Sequence, residues 1–398
     1  MVLHLIIRNF GRVEFADIAL DNFVVFAGNN NSGKTMVMQL IYGLRKELRN
    51  FLVPVTGVKQ TDMNGQYLIR CDQEWFQKVE LEINKFLEQD KERIIDNIFG
   101  VPISVEEIRI VLEGKQSTYF VSSVSGYRNE DIKVQKDQIH IDVLQYESAE
   151  NVASFESRIS DFGQLEGVVK EVSQTVWRII LCGKTDQEIG QLFLPASRSG
   201  LQLLYKHYFV GETEGNLVLP IKDFLRFLQL YTEDKLLKET RKDLLEFGEK
   251  YLLHGKVVQI GDETFYNDKT VNKMVQLHVA SSMIHELTPF VKVLSATQQI
   301  DWLYCDEVEN SLHPLLQREM ARWLIRMVNA GMHIIVSSHS DTMASRLNNL
   351  FMLTHIKQKE SIYEMLSELE LMENDLLRPD VKAGIYEFRN GEQGKTTV

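Results

Sequence analysis

The chain has 398 residues, enough for one elaborated domain or two closely joined ones. Its 44% hydrophobic and 25% charged residues suit a globular protein, and neither a membrane-length apolar run nor an export signal in MVLHLIIRNFGRVEF is present, so the expectation is a cytoplasmic protein with no membrane partner. A formal net charge of -12 argues against coating nucleic acid through bulk electrostatics, and three scattered cysteines (Cys71, Cys182, Cys305) offer neither a disulfide framework nor a zinc spacing.

In chain order, LHLIIRNF and GRVEFADIAL read as strands, and the apolar run NFVVFAG as a strand covered on its faces. TMVMQLIYGLRKEL follows with apolar residues at 36, 38, 40, 41 and 44, a helix that packs on that sheet. Residues 51 to 71 look irregular, and a helix is expected over 73–98. EIRIVLEG, STYFVSSV, IKVQ and IHIDVLQ, between 103 and 146, are short strand-like runs. Helices are expected to dominate 152–252, with Gly255 as a C-cap after EDKLLKETRKDLLEFGEKYLLH. A hairpin over KVVQIGDETFYND precedes a helix beginning near Ser281. From 299 onward QIDWLYC, LLQREMARWLIRMVNAG and HIIVSS alternate strand, helix and strand, the rhythm of a parallel sheet, and GIYEFRN supplies a last strand. No repeat and no sustained heptad pattern appears.

The tripeptide GKT occurs at 33–35, 183–185 and 394–396, but a phosphate cradle also needs a glycine five positions earlier, a preceding strand and a following helix. Only the first copy meets this, with Gly28; the others have Arg178 and Arg389 at that place and read as ordinary loops. Over Gly28, Asn29, Asn30, Asn31, Ser32 and Gly33 the backbone can curl so that amide N–H groups meet phosphates. Lys34 would reach the terminal phosphates and Thr35 would place its hydroxyl on Mg²⁺. The blander reading is a glycine-rich turn, and the complete spacing with the correct flanks outweighs it. Such a loop needs a carboxylate on a neighbouring strand. Asp306, after DWLYC, is the candidate metal ligand through water, and Glu307 is the candidate that polarises the attacking water. An acidic pair after a strand is often only a turn, but here it follows a phosphate loop. His339, just past HIIVSS, is placed to contact a γ-phosphate, although a lone histidine at a strand end is usually structural.

GNNNSGKT, CDEVENSLHP and VSSHSD together resemble the phosphate loop, acidic strand motif and switch histidine of ABC-type ATPases, in the SMC/RecF/OLD-like branch of the AAA family. Glu309, Leu312, His313 and Pro314 match that branch, whereas Val308 stands where it usually has proline; LIIRNFGRVEFADIAL resembles its opening strand pair. The matches cover about 1–45 and 275–345. The resemblance implies an α/β fold, an ABC-type P-loop NTPase head with a mixed sheet, carried on 1–50 and 256–398, with a helical and partly β insertion over 51–255. It further implies slow hydrolysis of ATP to ADP and phosphate with Mg²⁺. It also implies a signature stretch that meets ATP across a homodimer or higher homo-oligomer, for which HVASSMIHEL is the candidate: Ser281 and Ser282 would contact the partner's nucleotide, with Met283 in place of the usual glycine. Ser281 serves equally well as a cap of its own helix. LFLPASRSG, with Ser197 and Arg198, resembles a segment of defence-associated members, in which Arg198 would sense nucleotide or a partner; a surface arginine after a turn is nearly as good a reading.

Three roles follow from the resemblance. A DNA-repair or chromosome-maintenance head of RecF/SMC type, binding DNA, would carry a long coiled coil, and the heptad-free middle speaks against one. An OLD-type nuclease would carry an Asp-x-Asp metal site after His339, and SELELMENDLL lacks that spacing. The favoured expectation is a stand-alone regulatory ATPase of an anti-phage system such as PARIS or Septu. It would sense infection and control a separate effector, a nuclease or toxin.

Overall fold

The computed structural model describes residues 2–55, 58–60, 67–113, 120–127, 138–145, 151–158, 165–182, 190–208, 217–270, 273–356, 362–391 and 395–398. The chain opens with β1 (Val2–Phe10), β2 (Val13–Ala19) and β3 (Phe23–Gly28), then α1 (Lys34–Arg49). Next come β4 (Val58–Gln60), β5 (Tyr67–Cys71), α2 (Gln73–Phe99), β6 (Glu107–Glu113), β7 (Phe120–Tyr127), β8 (Gln138–Gln145), β9 (Asn151–Arg158) and α3 (Leu165–Cys182). β10 (Gly190–Leu194) leads to α4 (Arg198–Tyr208), α5 (Leu219–Leu230), α6 (Lys235–Thr240) and α7 (Lys242–Phe247). The hairpin strands β11 (Gly255–Ile260), β12 (Glu263–Asp268) and β13 (Lys273–Gln276) precede α8 (Ser282–Ser295), β14 (Ile300–Cys305), α9 (Pro314–Asn329) and β15 (His333–Ser338). α10 (Asp341–Ile356), α11 (Ile362–Glu368), β16 (Ala383–Asn390) and β17 (Thr396–Thr397) complete the chain.

A mixed sheet of nine strands, in the order β10-β14-β15-β3-β16-β17-β2-β1-β6, organises the fold. β10, β14, β15, β3 and β16 pair parallel to one another, while β1 pairs antiparallel with β2 and β6. Strand periodicity divides the core in two. In β3, Val24 and Phe26 face one apolar layer while Phe23 and Val25 face the other, and Trp302 and Tyr304 of β14 oppose Leu303 and Cys305 in the same way. Buried residues of α1, α2 and α3 fill the first layer, and those of α8, α9 and α10 the second. A sheet covered on both faces needs apolar residues at every position, which is why FVVF and the β14 strand read as continuous apolar runs. The indole N–H groups that this burial traps are satisfied, Trp177 donating to Leu48 O and Trp323 to Leu244 O, each at 2.8 Å.

The stretch 51–255 is woven into this sheet. β6 pairs with β1 and β10 with β14, so both edge strands of the nine come from it. Its remaining strands form a separate five-stranded antiparallel sheet, β4-β5-β7-β8-β9, and β11-β12-β13 form a small third sheet. Two strands, β9 and β10, lie where helices are expected. A run as short as GQLFL cannot be assigned from periodicity alone, and NVASFESR becomes a strand by pairing with β8. IKVQ lies outside the described residues, as does the GKT at 183–185. The helical run 233–255 is broken into α6, α7 and a π-helical turn over Gly248–Leu253. The left-handed cap falls on His254 (φ 53°), one residue before the expected Gly255, which instead begins β11. Among the described residues no helix is long and apolar enough to cross a membrane.

Asp375, fully buried, clasps the C-terminal part onto α9: its carboxylate pairs with Arg322 Nη2 at 2.8 Å and Arg326 Nε at 2.7 Å. Burial alone would raise its pKa, but the hydrogen bonds from Arg326 and Arg322 outweigh it and hold the pKa below the ordinary carboxylate value. This contribution to stability is present above that ordinary value and is lost as the pH falls through the folded-state one. Asp375→Asn leaves the two guanidinium groups without their shared counter-ion and is expected to cost about 3–5 kcal/mol in urea denaturation at neutral pH. The variant should also lose the wild type's extra sensitivity to acid.

Candidate functional site

Parallel pairing assembles the site. β15 lies between β14 and β3, with Ser338 opposite Ala27 and Cys305 opposite Val336, so the C-terminal ends of all three strands open on one edge of the sheet. The loop after β3 holds the glycine-rich segment, β14 delivers Asp306 and Glu307, and β15 delivers His339. This is the crevice at the carboxyl ends of parallel strands in which α/β sheets characteristically hold ligands.

Backbone conformation shapes the first loop. Gly28 has φ 137° and lies opposite Phe388 of β16, where an added Cβ would sit 2.5 Å from the Phe388 carbonyl oxygen. Gly33 caps α1 at φ 95°, and Asn31 is also left-handed at φ 59°. No side chain caps α1 and no acidic residue occupies its first turn, so its positive end faces the loop uncompensated. Asn29, Asn30 and Asn31 are exposed, whereas Ser32 and Lys34 are buried. The Lys34 ammonium folds back into the loop, donating to Gly28 O at 2.8 Å, Asn29 O at 2.7 Å and Ser32 Oγ at 3.2 Å. Burial draws its pKa below the usual lysine value, opposed by the carboxylates of Asp306, Glu309 and Glu307. From the turn between β1 and β2, Arg12 Nη1 donates to the backbone carbonyl of Asn31 at 3.5 Å.

Thr35 and Asp306, 271 positions apart in the chain, meet here: Thr35 Oγ1 lies 3.0 and 2.9 Å from the two carboxylate oxygens of Asp306. Among the described residues no group of three or more His, Cys, Asp or Glu side chains is placed to hold a metal ion. A hydroxyl and one carboxylate, both hard oxygen donors, instead fit Mg²⁺, which keeps most of its ligands as water and phosphate oxygens. His339 Nδ1 is 3.1 Å from both Lys34 Nζ and Gly28 O, and its Nε2 is 3.3 Å from Glu307 Oε1. Glu307 has φ 48°, a left-handed conformation that costs a non-glycine residue about 1–2 kcal/mol.

Two residues outside the sequence prediction hold this arrangement. Ser337 Oγ donates to Asp306 Oδ1 and accepts the Glu307 N–H at 2.9 Å, joining the ends of β14 and β15. Glu309 Oε1 accepts the N–H groups of His339 and Ser340, orienting the turn that carries the histidine. Glu309 was legible only as part of a motif, and nothing local marks Ser337. Val308, in place of the expected proline, donates its N–H to Ser337 O at 3.1 Å, a bond that proline cannot make.

Ser281 and Ser282 are exposed at the start of α8, and Ser281 makes no side-chain capping bond, so the capping alternative is not realised. Arg198 is not the surface arginine of the alternative reading. It is buried, its guanidinium bonded to the carbonyls of Asp306 and Glu307 and, within the turn it starts from, to that of Pro195.

Residues 1–175, which include the whole loop from Gly28 to Thr35, match the family described as AAA ATPase domain. No curated protein matches the chain. Among solved structures it is similar to the SMC head domain from Thermotoga maritima, at 10% identity and TM-score 0.33. It is also similar to an SMC head bound to the C-terminal winged-helix domain of ScpA, at 12% and 0.36, and to an SMC head with an extended coiled coil bound to the C-terminal domain of ScpA derived from Pyrococcus furiosus, at 12% and 0.35. Each alignment covers 87% of this chain and 91% of the other.

Removing the Ser337 hydroxyl would leave the buried Asp306 carboxylate and the Glu307 N–H each short of a partner. Ser337→Ala is therefore expected to lower stability by about 1–3 kcal/mol, measured by chemical denaturation without nucleotide.

Proposed function

We propose that the protein binds ATP with Mg²⁺ and hydrolyses it slowly to ADP and phosphate, as a nucleotide-gated switch that closes between two copies of the chain. The observation that carries this reading is the meeting of Thr35 and Asp306 at hydrogen-bond distance, with Lys34, Glu307 and His339 converging on the same point. Loop amides and the α1 N-terminus take the phosphates, and Lys34 exchanges its three oxygen partners within the loop for phosphate oxygens. Thr35 and Asp306 hold Mg²⁺, which when bound neutralises phosphate charge. Glu307 orients a water in line with the γ-phosphorus and accepts its proton as the new P–O bond forms and the bond to the β–γ bridging oxygen breaks. His339 donates to a γ-phosphate oxygen and registers its departure. The exposed start of α8 suits Ser281 and Ser282 to close over the nucleotide of a second copy.

Closure is a population shift, stable only while ATP remains intact. With Mg-ATP, Glu307→Gln is expected to accumulate a species of at least twice the monomer mass, by light scattering, and to hydrolyse ATP at least ~100-fold more slowly. Lys34→Ala should neither bind nor associate. Failure of the glutamine variant to accumulate a larger species would rule out the closing dimer.

The work done by closure is best read as control of a separate protein effector, a nuclease or toxin, in anti-phage defence. The resemblance to defence-associated ATPases supports this, and a net charge of -12 suits a protein partner better than a DNA coat. Affinity capture of the tagged chain from cells carrying its neighbouring genes should recover an effector-like protein in fixed proportion. Recovery of DNA without a protein partner would favour the DNA-repair or chromosome-maintenance reading instead.

A further inference from the structure

The contacts of Arg198 go beyond packing. Pro289 lies inside α8 and has no N–H to give the carbonyl of His285, four residues earlier. α4 supplies the missing donor: Gln202 Nε2 bonds His285 O at 2.7 Å, while Arg198 Nε, one turn away, bonds Glu286 O at 3.3 Å and lies 2.7 Å from Glu286 Oε2. The far side of the same guanidinium turns to the acidic strand. Its Nη1 donates to Asp306 O at 2.8 Å and to Pro195 O at 3.2 Å, and its Nη2 donates to Glu307 O at 3.2 Å. Arg198 and Glu286 are both almost completely buried. A planar fork with five N–H donors thus joins the helix that begins at Ser282 to the backbone of the acidic pair.

Resting on the ATPase reading, we propose that Arg198 is a positioning residue for hydrolysis, which holds Glu307 in its left-handed turn and ties that turn to the helix that faces the second copy. The Glu307 N–H is held by Ser337 and its carbonyl by Arg198, so the residue is pinned on both sides of its unfavourable φ. Release of the carbonyl lets the backbone relax toward ordinary φ and swings the carboxylate off the line of attack, while the phosphate loop keeps its grip on ATP. Any shift of α8 on closure is delivered to the same carbonyl through Glu286 and the Arg198 guanidinium. Lysine offers a single ammonium and cannot span the carbonyls of Glu286, Asp306 and Glu307 together.

The test compares wild type, Arg198→Lys, Gln202→Ala and the double variant Arg198→Lys/Glu307→Gln, with Mg-ATP turnover, ATP affinity from the ligand-induced rise in Tm, and Tm without nucleotide. Arg198→Lys should lower kcat on the order of 100-fold, the scale of a roughly 1 Å misplacement, while ATP affinity stays within about threefold of wild type. In the Glu307→Gln background the same change should alter the residual rate by less than about twofold, because Arg198 acts through Glu307. Gln202→Ala, which loosens α4 from α8 without touching the acidic pair, should lower Tm and leave kcat near wild type. Should the lysine variant be recovered unfolded, Arg198→Gln, an uncharged donor, carries the same expectations. The proposal is overturned by wild-type turnover in the Arg198 variant, by parallel loss of affinity and rate, by additive losses in the double variant, or by an equal kcat loss in Gln202→Ala. A wild-type protein that hydrolyses no ATP overturns the ATPase reading and this proposal with it; an active wild type with an equally active Arg198→Lys overturns this proposal alone.

Discussion

Everything at the candidate site depends on the parallel pairing of β14, β15 and β3. A backbone ladder fixes strand register to within a residue, so the loops that leave those strands inherit positions no side chain has to establish. Thr35 and Asp306 touch for that reason although 271 positions separate them in the chain. The apolar faces of the same strands pack into two layers, so displacing the loops requires disturbing both cores.

Around this frame the unusual backbone conformations gather where the loops turn. Gly28, Asn31 and Gly33 are left-handed in the first loop, and Glu307 and Ser311 in the acidic one. Glycine adopts such angles without steric cost, but Glu307 does not, and its neighbours account for how it persists. Ser337 takes the N–H, Arg198 takes the carbonyl, and the residue between is left with its side chain beside His339. With both backbone groups held, the Glu307 side chain keeps one position beside His339 despite the unfavourable φ.

The long middle stretch contributes to the nine-stranded sheet as well as forming a sheet of its own. By supplying β6 and β10 it provides both edge strands of the nine-stranded sheet. Because β10 runs directly into the turn that carries Arg198, this stretch also reaches underneath the acidic pair. The middle of the chain therefore contacts the site from behind, while the ends build its front.

The sequence by itself determined the features that are local. The Gly28–Thr35 spacing, its strand and helix flanks, the acidic pair after an apolar strand and the histidine after another were all legible, because each is a run of neighbouring residues whose conformation follows from their own chemistry. Most of the strands and helices were legible on the same ground, through periods of two and 3.6. Only the tertiary structure decided which strands lie side by side, that GQLFL and NVASFESR are strands, that 51–255 supplies both edge strands of the sheet, and that Arg198 is buried rather than facing solvent. Ser337 and Glu309 likewise acquire their positions only when β14 and β15 are paired. These outcomes turn on hydrogen bonds and apolar contacts between residues far apart in the chain, and a one-dimensional pattern carries no record of which distant partner will satisfy a given carbonyl.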